Sequence, residues 1–289
     1  MDDKELSQRR ACRVMAQPRG TQRRILRGRR EDGAVESRLV ELANAHGAWG
    51  YPQLHQQLRG EGYRINHKRT HRLYRKHGLS LCRRRRRRLP ERVQQPLLQQ
   101  LHPNQIWSMD FMSDTLVNRR AYRTFNVIDD CSRDVLAIEI DFSLTGERVV
   151  RVLQQLCEWH GKPDAMRSDN GPEFRSHVVQ AWAKSSGIEW QFTQPGCPAQ
   201  NAYIERFNGT FRVEVLDAYQ FESLDQARAI SEQWIPVYNE QRTHSAIGHL
   251  PPMVFKQQRQ RPESLLSIGI DRGVLTREEG QGQRYRQRR

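Results

Sequence analysis

The hydrophobic positions of this chain follow a helical period before about residue 80 and a strand-like alternation after residue 104. In the first stretch, Leu39, Leu42 and Ala43 lie on one apolar stripe, as in an amphipathic helix. The pattern predicts three short helices: residues 36–46, residues 52–60, and a third between Asn66, a suitable N-cap, and Gly78, a suitable stop. Short helices joined by tight turns are typical of a helix-turn-helix region.

After residue 104 apolar positions alternate with polar ones, which predicts β-strands. Three strands come first with no helix between them, in the segments QIWSMDFMSD, AYRTFNVIDDCS and DVLAIEIDFS. A helix, GERVVRVLQQLCEWHG, then opens an alternation of strands and helices that ends in a long helical region from about residue 198. The predicted order, β-β-β-α-β-α-β-α, is that of an α/β fold with a mixed sheet flanked by helices.

The composition of the chain gives it a large positive charge. The chain carries 48 Lys and Arg against 33 Asp and Glu, a formal net charge of +15. Much of the Arg lies in the first 90 residues and ends in the unbroken run Arg83–Arg88. This surplus favours a polyanionic partner, because Lys and Arg that neutralise phosphates release condensed counterions. The alternative is a soluble basic protein without such a partner.

Shifts in composition divide the chain into parts. Segment 89–103 contains three prolines and many glutamines, which is typical of a linker. We predict five parts: a basic N-terminal helical segment (1–35), a helix-turn-helix DNA-binding region with the poly-Arg run at its end (36–88), the linker (89–103), the α/β core (104–256) and a basic, flexible tail (257–289).

The third predicted helix is the main candidate for contact with DNA, because the last helix of a helix-turn-helix region enters the major groove. The candidate DNA-binding residues of this helix and of the run that follows are Lys68, Arg69, Arg72, Arg75, Arg83, Arg84 and Arg85. The alternative is a solvated basic face on an ordinary helical bundle.

Cysteine and histidine usage argues against a disulfide framework or a structural zinc site. The five cysteines are far apart and form no CxxC pair. His67 and His71 have an H-x₃-H spacing, but we assign them to the basic helix because no thiol pair accompanies them. No apolar run approaches the roughly 20 residues that span a bilayer, and the start MDDKELSQRR lacks the apolar stretch of a signal peptide. We therefore expect a cytoplasmic protein with access to DNA.

Three carboxylates occupy informative positions. Asp110 lies between apolar neighbours in the strand WSMDF, where a charge is costly unless something pairs with it. Asp169 ends a strand in RSDNGPEF, and sites of α/β proteins gather at strand ends. Glu205 follows on a helix in QNAYIERFNGTFR. Each has a simpler interpretation, as a surface strand residue, a turn former and a helix-surface glutamate respectively.

With these motifs the chain resembles a known family, the insertion-sequence transposases with a retroviral-integrase-like DDE core, and within it the OrfB-type subunit. The other matching stretches are GYPQLHQQLRGEGYRINHKRTHRLYRKHG, FNVIDDCSR, QPGCPAQNAYIERFNGTF and YNEQRTHSAIGHLPP. The resemblance spans roughly residues 5–255. It implies an RNase H-like core, and the family's three catalytic, metal-binding carboxylates fall on Asp110, Asp169 and Glu205.

The resemblance also implies the chemistry, which is metal-dependent DNA cleavage and strand transfer at the ends of an insertion sequence. The carboxylates would hold two Mg²⁺ (or Mn²⁺) ions, since hard divalent ions prefer oxygen ligands. The family's basic residue two helical turns after the glutamate falls on Arg212, and Asn201 and Asn208 on the same helix are further candidate DNA contacts. The alternatives are a phage or retroelement integrase or a nuclease on the same core, and a catalytically inactive DNA-binding repressor.

The expected partners are double-stranded DNA, both insertion-sequence ends and target, and further copies of the chain, since two ends must be held together for joining. Proteins of the OrfB type are commonly fused to an upstream OrfA product. No leucine-zipper heptad run occurs in this chain, so we expect end pairing to depend on an OrfA-type polypeptide or on the DNA. The chain departs from the family pattern at Cys197 and Thr243, and Pro236 is expected to interrupt the helix before YNEQR. These positions bear on DNA contacts and on the course of the C-terminal helix.

Overall fold

The computed structural model describes residues 7–21, 33–81, 100–194 and 198–260. Within these ranges the helices and strands are, in chain order, α1 (Gln8–Val14), α2 (Gly33–Ala45), α3 (Tyr51–Gly60), α4 (His67–Lys76), β1 (Ile106–Thr115), β2 (Ala121–Asp129), β3 (Val135–Asp141), α5 (Gly146–His160), β4 (Ala165–Ser168), α6 (His177–Ser186), β5 (Glu189–Phe192), α7 (Ala202–Phe211), α8 (Leu224–Pro236) and α9 (Pro252–Gln260). Two π-helical segments, Arg212–Leu216 and Val237–Gln241, directly continue α7 and α8.

Helices α2, α3 and α4 form the helical region that the sequence predicts. Their shared core is built mainly from Leu39, Leu42, Trp49, Leu54, Leu58 and Leu73. Helix α4 begins at the predicted cap, because the Asn66 side chain accepts a hydrogen bond from the Lys68 amide at 2.9 Å. A buried hydrogen bond of 2.8 Å between His55 Nδ1 and Thr70 Oγ1 joins α3 to α4. Val237 of the core packs against the cluster of this module.

The core has a five-stranded sheet in the order β3-β2-β1-β4-β5. Strands β1, β2 and β3 form an antiparallel meander, while β4 and β5 run parallel to β1. The predicted order of strands and helices is confirmed. Strand β1 therefore lies in the middle of the sheet, with neighbours on both sides.

Helices cover both faces of this sheet. Because successive side chains of a strand point to opposite faces, odd- and even-numbered residues contact different helices. Odd-numbered residues of β1 and β2, such as Met109 and Val127, pack with the apolar residues of α5 and α6. Even-numbered ones, such as Met112 and Ile128, pack with Phe207 and the other apolar residues of α7 and α8. An even-numbered polar residue in the middle of β1 is thereby aimed at α7.

The C-terminal part differs from expectation at two places. The helix before YNEQR is not interrupted at Pro236, because the chain continues from there as a π-helical segment. Helix α9 extends to Gln260, so the first residues of the predicted tail, from residue 257, are helical.

Some predictions fall outside the described residues. They are the poly-Arg run, most of the linker, Cys197 and nearly all of the tail. The domain limits given above therefore stay a prediction. Among the helices of the described ranges, none combines the length and the apolar character that crossing a bilayer requires.

Candidate active site

Asp110 lies in the middle of β1 on the face that α7 covers, directly opposite Asn126 of β2. It is half-buried, and both of its carboxylate oxygens accept a hydrogen bond. The Phe111 amide donates to Oδ1 at 2.8 Å, and the Asn208 side chain donates from Nδ2 to Oδ2 at 2.8 Å. A charged side chain is thus held in one orientation at the centre of the core.

Asp169 lies at the end of β4, the strand that pairs in parallel with β1. It is exposed, and its Oδ1 accepts a hydrogen bond of 3.0 Å from the Gly171 amide. A Cβ at Gly171 would lie 3.1 Å from that same oxygen, so a larger residue there would require the Asp169 carboxylate to shift by a few tenths of an ångström.

Glu205 lies in the first turn of α7 and is exposed. The helix is fixed by its buried side, where Ile204, Phe207 and Phe211 pack on the sheet. Glu205 lines a groove of about 750 Å³ together with Gly209, Arg206 and other residues, and Ala48 of the helical module also lines it. The glutamate therefore lies at an open surface that reaches the helix-turn-helix region.

The three carboxylates interact electrostatically. Burial raises the pKa of Asp110 to about 6, and the negative charges of Asp169 and Glu205 contribute to the increase. The hydrogen bonds from Phe111 and Asn208 act in the opposite direction and favour the ionised form. A cation placed among these groups would relieve the repulsion.

The donor set fits a hard divalent ion, because carboxylate oxygens are the ligands that Mg²⁺ and Mn²⁺ prefer. In the described part of the chain, however, no three His, Cys, Asp or Glu side chains are already arranged closely enough to hold a metal ion. Mutual repulsion among carboxylates is a physical reason for such a spread arrangement. The roles of Asp110, Asp169 and Glu205 stay a prediction.

The other candidate residues near the triad make contacts within the protein. Asn208 is buried and uses both ends of its amide, donating to Asp110 and accepting from Asn126. Asn201 is also buried. Arg212 donates to the Ser113 carbonyl at 2.9 Å and lies 3.6 Å from an oxygen of Asp114. The buried positions of the two asparagines leave little of either side chain for DNA.

The candidate DNA-binding helix has the predicted two-sided character. Thr70, Leu73 and Tyr74 of α4 are buried in the module. The basic residues lie on its other side, where Lys68, Arg72 and Arg75 are exposed and Arg69 is half-buried. Arg83, Arg84 and Arg85 lie outside the described residues.

Two polar positions of the FNVIDDCSR motif have structural roles that the sequence did not assign. Asp130 is fully buried, and its Oδ2 accepts a hydrogen bond of 2.8 Å from Arg167. This pair ties the end of β2 to β4, close to Asp169. Asn126 donates to Asn208 at 2.8 Å. Asn126, like Asp110, lies between apolar residues of a strand, but that local signal does not reveal its partner, which depends on the position of α7.

Comparison with known proteins agrees with this architecture. Two models of an integrase core domain match residues 100–198 and 186–252, and a model of an HTH-like domain matches residues 30–88. A chain of the simian T-cell lymphotropic virus intasome has a TM-score of 0.50 and 19% identity, over 83% of this chain and 80% of that one. This likeness shows the fold, an RNase H-like core of the retroviral-integrase kind preceded by a helical region.

Two relatives are much closer in sequence. The 39.2 kDa protein of insertion element IS476 from Xanthomonas euvesicatoria is 43% identical over 250 residues, which are 86% of this chain and 72% of the relative. The 31.7 kDa protein of insertion element IS407 from Burkholderia multivorans is 40% identical over 250 residues, 86% of this chain and 90% of the relative. Identity at this level over most of both chains establishes common descent, and an HTH-like domain joined to an integrase core is the composition of a DNA-acting enzyme. The chain belongs to the insertion-element transposases with an integrase core domain, which are polynucleotidyl transferases.

Proposed function

We propose that this transposase nicks DNA at the ends of its insertion sequence and transfers the freed 3′ ends to target DNA, with Asp110, Asp169 and Glu205 as catalytic residues. The observation that carries the proposal is the placement of the three side chains: Asn208 of α7, the helix that carries Glu205, donates to Asp110, and β4, which ends next to Asp169, pairs directly with β1. Side chains from the central strand, from the end of its parallel neighbour and from α7 act together on the charge of Asp110. A carboxylate whose pKa is shifted by burial and by neighbouring charges is a candidate functional residue.

Each carboxylate is positioned by a different part of the fold. Asp110 is oriented by two hydrogen bonds, Asp169 by its turn with Gly171, and Glu205 by the packing of α7. Two Mg²⁺ or Mn²⁺ ions held there would activate the attacking oxygen and stabilise the leaving one in an in-line displacement at phosphorus. The exposed position of Asp169 and Glu205 leaves the site open to a DNA backbone.

The DNA would reach this site from the helix-turn-helix module. The basic side of α4 would bind the insertion-sequence end, and the groove along α7, which Ala48 of the module also lines, would lead a strand to Glu205. Joining needs two ends, so the active species on DNA would contain at least two copies of the chain. An OrfA-type polypeptide, fused or separate, would supply further contacts for pairing.

Isosteric variants of the carboxylates test the proposal. We expect Asp110→Asn, Asp169→Asn and Glu205→Gln each to lower metal-dependent nicking of an end-containing duplex by roughly a thousand-fold, because each removes several kcal/mol of transition-state stabilisation. Binding of the same duplex without metal should change less than about two-fold, since the fold is retained.

Asp164→Asn is the matched control, an exposed aspartate just before β4 that should keep full activity. Retention of nicking in any triad variant would remove that residue from the catalytic set. A wild-type chain that binds ends but never nicks them with Mg²⁺ or Mn²⁺ would instead favour a DNA-binding repressor.

A further inference from the structure

The apolar packing around Asn126 does not by itself require an amide side chain at this position. It is fully buried in β2, on the face of the sheet that packs against α7. Its neighbours on that face belong to an apolar cluster that includes Tyr122, Ile128 and Phe207. Its Oδ1 is buried without a hydrogen-bond partner among the described residues. An unsatisfied buried carbonyl costs about 1–3 kcal/mol, which an apolar residue of similar volume would avoid.

The other end of this amide begins a chain of hydrogen bonds that ends at the active site. Asn126 Nδ2 donates to Asn208 Oδ1 at 2.8 Å, and Asn208 Nδ2 donates to Asp110 Oδ2 at 2.8 Å. Because Asn126 and Asp110 are direct cross-strand partners, their side chains emerge on the same face, and Asn208 reaches both from α7.

The direction of this chain follows from chemistry. An ionised carboxylate only accepts hydrogen bonds, so Asn208 must turn its NH₂ towards Asp110. Its carbonyl oxygen then faces β2 and needs a donor, which Asn126 provides. Without that donor, the Asn208 amide would lose the contact that fixes its orientation, and Asp110 would lose a fixed hydrogen bond on Oδ2.

We propose that Asn126 is a positioning residue of this transposase, acting through Asn208 to hold the Asp110 carboxylate in the orientation that binds cations. This inference rests on the proposed role of Asp110. Asn126 is buried and would touch neither metal nor DNA. It would nevertheless contribute to metal affinity and turnover. Removal of a hydrogen-bond partner that orients a metal ligand typically lowers metal affinity or activity 10–100-fold.

The test uses the full chain with Asn126→Leu, which replaces the amide by an apolar group of similar volume. We expect a melting temperature within a few degrees of wild type or above it, Mn²⁺ affinity about ten-fold weaker by titration calorimetry, and kcat for nicking lowered 10–100-fold with KM for DNA unchanged. Thr124→Val is the matched control. Thr124 is buried on the same face, two residues from Asn126 along β2, and its hydroxyl has no partner among the described residues. Loss of this hydroxyl should therefore leave Mn²⁺ affinity and kcat unchanged.

A double-mutant cycle separates positioning from mere packing. If Asn126 acts through Asn208, then Asn126→Leu should cost nothing further in an Asn208→Leu background, whereas independent effects would add. Wild-type Mn²⁺ affinity and kcat in the Asn126→Leu variant, or additive losses, would overturn the proposal. If the Leu variant fails to fold, Asn126→Ser takes its place in the cycle. Full nicking by Asp110→Asn would instead refute the proposed function on which the inference rests.

Discussion

Asp110 shows how a side chain that is costly for the fold can suit the reaction proposed above. Its pKa of about 6 means that burial and two nearby carboxylates oppose its charge in the metal-free protein. The hydrogen bonds from Phe111 and Asn208 offset only part of that cost. In the proposed function, the same repulsion would favour cation binding, so destabilisation of the apo protein and affinity for metal would have one origin.

His244 should make the whole fold sensitive to acid. Burial lowers its pKa to about 3, and the charges of Arg242, Arg133 and Arg206 contribute. In the unfolded chain it titrates near 6.5, so between pH 6.5 and 3 the unfolded state binds a proton that the folded state does not. We expect this residue to remove up to about 2 kcal/mol of the free energy of unfolding between pH 7.5 and pH 5.

His244→Phe should remove that part of the pH dependence while keeping the ring contact with Tyr238, whose centroid lies 4.9 Å away. Urea unfolding at the two pH values measures the effect. His249→Asn, at an exposed histidine of the same turn, is the control and should leave the slope as it is. An unchanged slope in the Phe variant would show that His244 takes up its proton in the native state.

At the level of single residues, the sequence predicted part of the candidate site. The triad could be singled out because each carboxylate lies in a motif with a local signal. Asn126 could not, although it is just as polar in just as apolar a strand, because its role depends on the cross-strand register with Asp110 and on the position of α7. Both are tertiary facts that periodicity does not contain. For the same reason, the sequence does not show that Asn208, a candidate DNA contact, forms a hydrogen-bond chain with Asn126 and Asp110 inside the protein.

At the scale of elements, most of the architecture could be read from the period of the apolar residues. The three helices of the module and the strand order of the core follow from it, because each element buries one face. The π-helical segments after α7 and α8 were not predicted, since a local change of hydrogen-bonding pattern leaves the apolar spacing almost as it is.

Helix α4 and the poly-Arg run should contribute differently to DNA binding. We expect Arg69→Ala with Arg72→Ala to weaken binding to the insertion-sequence end much more than to random DNA, because a groove-facing helix reads bases. Replacing Arg83–Arg88 by Gln should weaken binding to both and lower the salt dependence, since contacts to phosphates release counterions.

Binding isotherms at several salt concentrations, with end and scrambled duplexes, distinguish these effects. Arg59→Ala, which removes one exposed arginine on α3, is the control for loss of positive charge outside these two segments. A poly-Arg variant with the full salt slope would show that the run does not contact phosphates.

For the whole molecule, the module and the core are in contact. Val237 packs against the cluster of the module, and His46 lies close enough to Arg242 for that charge to lower its pKa, although burial is the larger cause. Because the module contacts the core next to the groove at Glu205, DNA bound by the module would lie near the three proposed catalytic carboxylates of the same chain.

We expect this chain alone to pair two ends poorly and an OrfA-type partner to correct this. Light scattering with and without end DNA, on the chain alone and on a fusion with an upstream OrfA-type segment, measures the assembly. The expected result is a monomer without DNA and a stable paired-end complex only for the fusion. A DNA-independent dimer of this chain that joins two ends would show that the partner is dispensable.

Gly209 lies in the interior of α7, one turn after Glu205, and a methyl group there would meet no described atom within 4 Å. A helix-interior glycine costs about 1 kcal/mol relative to alanine, so Gly209→Ala should raise the melting temperature by roughly 2–4 °C. The methyl group would also project into the groove beside Glu205, where it takes up clearance that a sugar-phosphate backbone needs. We therefore expect a more stable transposase with a higher KM for DNA and an unchanged metal affinity, measured by steady-state nicking and calorimetry. An unchanged KM would mean that no strand passes along this side of the helix.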